Sequence, residues 1–110
     1  MITEQELKDA GYRKHAGNGH QPYSDFFYQK RFTDEHGIKY HVELNHYAAI
    51  TWPNGWPMSE SWMAELHNNE PHMTFQIHRP DSIADVEDRA EKFWRSMACD
   101  YYEQYENHRA

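Results

Sequence analysis

Residues 82–106 read as one long helix. They constrain the fold more than any other part of the chain, because a helix of this length with an apolar stripe must be covered by a sheet or by other helices. Ile83, Val86, Ala90, Phe93, Met97 and Tyr101 step by three or four positions and so fall on one side of a 3.6-residue helix, with Trp94 at the margin. Ser82 occupies the cap position: its hydroxyl can accept from the Asp85 amide while the Asp85 carboxylate reaches back, and Pro80 ends the segment before it. Counted with Asp81, this stretch carries eight of the chain's eighteen acidic residues.

Upstream, the punctuation of the sequence divides it into a short helix and four strands. Thr3 and Glu6 form a capping box, Ile2 and Leu7 a hydrophobic staple, and Gly11 a stop, which predicts a first helix at the N-terminal end. Residues 16–24, rich in Gly, Asn, Gln and Pro, read as an irregular connection. Residues 25–33 and 38–48 are aromatic and β-branched runs around a turn at 34–37, and residues 61–67 and 72–79 form a second hairpin around a turn at 68–71. Alternation places Ile38, Tyr40, Val42, Leu44, Trp62, Ala64, Leu66, Met73, Phe75 and Ile77 inward. Lys39, His41, Glu43, Asn45, Met63, Glu65, His67, Thr74, Gln76 and His78 then point away. Between the hairpins, residues 51–60 read as a loop bearing Trp52 and Trp56. The expected architecture is α+β: one domain over residues 1–110, a four-stranded antiparallel meander with the long helix packed on its apolar face, in the order α-β-β-β-β-α.

Charge and composition narrow the function classes. At −7, the formal net charge argues against direct nucleic-acid binding, which needs a basic face, and leaves basic proteins as partners. Cys99 is the single cysteine, so no internal disulfide and no thiolate metal cluster is expected, in keeping with a reducing cytoplasm. Neither a signal peptide nor a membrane span is legible, consistent with a mean hydropathy of −1.12. Seventeen aromatic residues supply the burial that a modest aliphatic content does not. Nucleophile elbow, phosphate-cradling glycine loop and dinucleotide fingerprint are all missing, so the residues call for no cofactor and point away from an enzyme.

The short acidic helix ending in Ala10, Gly11 and Tyr12, the Phe27-Tyr28-Gln29-Lys30-Arg31 strand with its Asp-Glu-His-Gly turn, and the closing helix with Phe93, Trp94 and Met97 form a layout that resembles small accessory proteins encoded by phages and prophages. That resemblance implies a host-modulating role exerted by binding, in the host cytoplasm, and carries over no catalytic residue.

Two constellations compete for the function. Trp52 and Trp56, on a loop with few ways to reach the core, are the kind of aromatic pair that anchors protein interfaces, although they could instead seal the open end of the sheet. Asp85, Asp88 and Glu91 each precede a base by four residues, whereas Glu87, Asp100, Glu103 and Glu106 lack such a helical partner and offer an acidic docking surface. These features predict a non-enzymatic protein that docks on a host protein, with basic proteins among the candidates. The rival rests on the nine histidines: His41 and Glu43 on one strand could meet His78, or His67, across the outward face and hold a metal, in an enzyme or a metal or pH sensor. A solvated polar sheet face explains the same residues without a metal. Homodimerisation through an uncovered sheet face is the third reading.

Overall fold

The structure, a computed structural model, describes the backbone of residues 1–69 and 72–109 and the side chains of residues 1–68 and 73–97. Its elements are α1 (Glu4–Asp9), β1 (Arg13–Ala16), β2 (Phe26–Thr33), β3 (Lys39–Tyr47), β4 (Ile50–Thr51), β5 (Pro57–Met58), β6 (Ser61–Asn69), β7 (His72–Ile77) and α2 (Ile83–Arg109). The fold is α+β: β1-β2-β3-β6-β7 form one antiparallel sheet, with the two helices on one of its faces.

Both helix starts follow from local chemistry. The Glu6 amide donates to Thr3 Oγ1 at 3.2 Å, and the Asp85 amide donates to Ser82 Oγ at 3.0 Å. The Asp85 carboxylate in turn accepts from the Asp81 amide at 3.0 Å, one residue before the cap, and takes Arg89 Nη2 at 2.8 Å. The expected four-stranded meander is present with its faces as the alternation assigned them, but it is widened by β1, which pairs with β2 from Arg13 opposite Gln29 to Ala16 opposite Phe26. All four β1 residues are exposed, so no inside-outside alternation marks them in the sequence. The loop expected at 51–60 contains a two-stranded hairpin, Ile50 opposite Met58 and Thr51 opposite Pro57, closed by Gly55 at φ 87°.

Tyr28, Tyr40, Val42, Leu44, Ala64, Leu66 and Ile77 from the sheet bury against Leu7 of α1 and Ile83, Val86, Ala90 and Trp94 of α2. Trp94 lies at the centre of the helix stripe and not at its margin: it is 2% exposed, while Met97 is 41% exposed. The indole stacks on Tyr40 with ring centroids 4.9 Å apart and reaches Asp34 Oδ2 at 2.7 Å, a polar anchor that hydrophobic periodicity does not register.

At the rim of this core, His46 is buried between Phe26, stacked on it at 4.4 Å, and Trp62, and its two ring nitrogens lie 2.7 Å from Asp25 Oδ1 and Glu60 Oε1. Burial pulls its pKa down, but hydrogen bonds to Glu60 and Asp25 outweigh burial and hold it above the ordinary histidine range. A raised folded pKa contributes stability that is fully present below the unfolded value near 6.5 and is lost as pH rises through the folded value. Wild type is therefore expected to lose roughly 1 kcal/mol from this group between pH 6 and pH 8.5, a figure kept low because both acids are half-exposed. Urea midpoints at the two pH values, compared with those of His46→Gln, check it: the variant should lack this component, and an identical pH dependence would remove the ion pair from the account.

Candidate metal centre

The second face of the sheet is polar by sequence, and in water it would be a solvated surface. Register lays its residues out in rows. Gln29, Glu43, Glu65 and Gln76 stand side by side on β2, β3, β6 and β7, and the next row holds Arg31, His41, His67 and Thr74. The middle of this face is not solvated: Glu43 is 0% exposed, Asn45 0%, Glu65 1% and His67 4%.

Its cover is the irregular segment 17–24, which folds back over β3 and β6. Gly19 packs so closely that a Cβ there would overlap Glu43 Oε1 and lie 2.6 Å from Asn45 Oδ1, so any larger residue would force these buried side chains to shift. His20 follows, its amide donating to Glu43 Oε1 at 2.8 Å and its Nδ1 lying 2.5 Å from Glu43 Oε2. Gln21 Nε2 donates to Glu65 Oε1, and Tyr47 Oη donates to Gln21 Oε1 at 3.2 Å. Ser24 fastens the far end by donating to the carbonyl of His46 at 3.0 Å. Tyr23, 84% exposed, is held at φ 70°, a left-handed conformation that bulky residues seldom adopt. The segment is thus tied chiefly to two buried carboxylates.

Around those carboxylates three imidazoles converge. His20 stacks on His67 with centroids 3.7 Å apart, and His41 lies 5.4 Å from His67. Nε2 of His41 and Nε2 of His67 are each 3.9 Å from Glu43 Oε2. His67 is oriented by Glu65 Oε2 at 2.6 Å from its Nε2 and by Thr74 Oγ1 at 3.3 Å from its Nδ1. One ligand atom each from His20, His41 and Glu43 lies within 4.8 Å of the others. In a tetrahedral site with metal–ligand bonds of about 2.0–2.2 Å the donors stand about 3.3–3.6 Å apart, so small side-chain adjustments bring these three onto one ion.

The electrostatics of the site are compatible with such an ion. Glu43 and Glu65 are directly opposed on neighbouring strands, an arrangement that disfavours two like charges, and among the described residues no Lys or Arg pairs with either. His41 Nε2 is buried and has no hydrogen-bond partner, and both side-chain polar atoms of Asn45 are in the same condition. Burial, followed by the neighbouring His67, pushes the His41 pKa down, which keeps the ring neutral with a lone pair to donate.

Of the residues singled out in the sequence, His41 and Glu43 are brought together and His67 joins them, but His78 does not: it is exposed at the end of β7, beyond Ile77, and its carbonyl accepts from Arg89 Nη1 at 2.8 Å. The expectation of a solvated face fails at its middle, which segment 17–24 covers. His20 and Glu65 were missed as members of the cluster. His20 sits where no periodicity assigns a face, and only the glycine beside it hints at a close approach. Trp52 and Trp56 close the β4–β5 hairpin and are 41% and 70% exposed, so they do not seal the core. Glu87 accepts from Lys30 Nζ and Tyr12 Oη, both at 3.1 Å, and so has partners within its own fold. Asp100, Glu103 and Glu106 lie outside the residues whose side chains are described. No helix among the described residues is long and apolar enough to cross a membrane.

Fold and site together define an α+β protein with a histidine–glutamate cluster closed under a glycine-led strap. No family model, curated protein or solved structure matches the chain.

Proposed function

We propose that this protein binds a divalent transition metal through His20, His41 and Glu43, with His67 and Glu65 bracing the site. The observation that carries this reading is the buried Nε2 of His41, which has no hydrogen-bond partner and lies 3.9 Å from a fully buried glutamate that no described Lys or Arg pairs with. Two imidazoles and one carboxylate suit zinc, iron(II) or manganese(II), and three protein ligands leave a coordination position open. Because His20 comes from the strap and His41 and Glu43 from β3, the metal would also fasten the strap to the sheet. That makes metal occupancy a natural input for a sensor, and the open position a natural site for chemistry.

The test is calorimetric titration of zinc, manganese(II) and iron(II) into chelator-stripped protein. Uptake of one equivalent is expected, with an affinity loss of at least about 100-fold in His41→Ala, since even the residues that orient metal ligands are commonly worth 10–100-fold. A folded wild type that takes up none of the three ions, or a His41→Ala protein that binds as tightly, would refute the assignment.

A second reading is favoured by a different observation. Ile50, Trp52, Trp56 and Met58 are between 41% and 70% exposed on one small hairpin, a concentration of apolar surface of the kind that docks on another protein. A phage-type modulator acting on a host protein would use it. Trp52→Ala/Trp56→Ala is then expected to abolish co-purification of that partner from host lysate while leaving the far-UV circular dichroism unchanged. Undiminished capture by the folded double variant would take the hairpin out of the reading.

A further inference from the structure

Beside the cluster, toward the β2–β3 turn, the sheet carries a hollow of about 440 Å³ lined by Gln29, Arg31, Lys39, Tyr40, His41, His67 and Asn68. Its character is unusual for a chain of net charge −7: the lining contains two cations, two imidazoles and two amides, and no acid. The contrast with a second hollow is direct, since that one, about 330 Å³ between α2 and the β2–β3 turn, includes Asp34, Glu35, Glu87 and Glu91 in its wall. Arg31 and Lys39 are both exposed, and neither makes an ion pair with another described residue. They belong to adjacent strands. Arg31 stands directly opposite His41, and Lys39 is two residues before His41 on the same face of β3.

We propose that this hollow is the ligand entrance of the metal centre and that it binds a small molecule through a phosphate group, held by Arg31 and Lys39 against the open coordination position. The inference rests on the metal reading, because His41 is at once a proposed ligand and part of the hollow's wall. A guanidinium fork and an ammonium supply complementary donors to a tetrahedral oxyanion, and a divalent cation next to them polarises the oxygen it receives. The hollow's volume falls within the range of pockets that hold small metabolites. Phosphate is favoured over a carboxylate because the two cations come from adjacent strands beside His41, giving a tetrahedral group more than one oxygen to share between them and the metal.

The experiment uses the full chain loaded with one equivalent of zinc and freed of excess by gel filtration, with inorganic phosphate as probe and binding followed by calorimetry and ³¹P NMR. Zinc uptake is measured first on wild type and on Arg31→Ala/Lys39→Ala; both positions are exposed, and circular dichroism checks that the variant is folded. Equal zinc uptake, with phosphate bound by wild type and weakened at least about tenfold in the double variant, supports the proposal; a tenfold loss corresponds to 1.4 kcal/mol. Zinc-loaded wild type that binds no phosphate, or a double variant that binds it equally well, overturns the phosphate site while leaving the metal centre intact. Wild type that takes up none of zinc, manganese(II) and iron(II) overturns the metal centre and this inference with it. Acetate titrated in parallel gives the carboxylate arm, and equal or tighter binding of acetate overturns the preference for phosphate.

Discussion

Replacing Trp94 by alanine is expected to destabilise the fold by about 3–5 kcal/mol, the largest effect of any single change considered for this protein. Trp94 is 2% exposed and stacks on Tyr40 of β3, and its indole N–H donates to Asp34 Oδ2 at 2.7 Å in the turn between β2 and β3. Truncation therefore opens a cavity under α2 and also removes the indole hydrogen bond from Asp34. Burial alone would raise the Asp34 pKa, but the Trp94 hydrogen bond and the amides of Ile38 and His36 outweigh it and hold the carboxyl below its ordinary range. The packing and polar contributions can be separated. Trp94→Phe keeps most of the ring and loses the N–H, and should cost less, about 1–3 kcal/mol. Urea denaturation of both variants gives the values. A loss below about 1 kcal/mol in Trp94→Ala would mean that α2 is held to the sheet by something other than this residue.

Glu43→Gln is expected to separate stability from function. The buried carboxylate is opposed by Glu65 across the strand pair, and isosteric removal of its charge relieves that juxtaposition while leaving an oxygen to accept from the His20 amide. Removing a buried negative charge that stands opposite another relieves both its desolvation cost and the like-charge repulsion, so the metal-free variant should melt at or above the wild-type temperature. The wild type, in contrast, should gain about 2.7 kcal/mol when zinc is present at 100 times its dissociation constant, and the variant should gain almost none. Thermal melts of both proteins with zinc and with chelator measure the four corners of this cycle. A variant that is strongly destabilised without metal, or that is stabilised by zinc as much as wild type, would place Glu43 in the architecture and not in the metal site.

These expectations divide according to how local their causes are. The start of α2 was legible because a cap, an acid three residues on and a proline before them act within a single turn. The inward face of β3 and β6 was legible because alternation of Val42, Leu44, Ala64 and Leu66 has one period and one buried side. Trp94 was misplaced at the margin of the stripe because its partner, Asp34, is sixty residues away and polar. β1 was missed because all four of its residues are exposed and it owes its place to hydrogen bonds with β2.

The sequence by itself determined the two-layer α+β architecture, the apolar face of the sheet and the fact that histidines and glutamates share the other face, since each of these depends on periodicity within one element. Only the tertiary structure decided that the middle of this other face is buried, that His20 is delivered to it by an irregular segment, that Glu43 opposes Glu65, and that His78 is left outside. The reason is that strand register and loop path are set by contacts between residues far apart in the chain, such as Gly19 against Glu43 and His41 against His67, and no local pattern of residues encodes them.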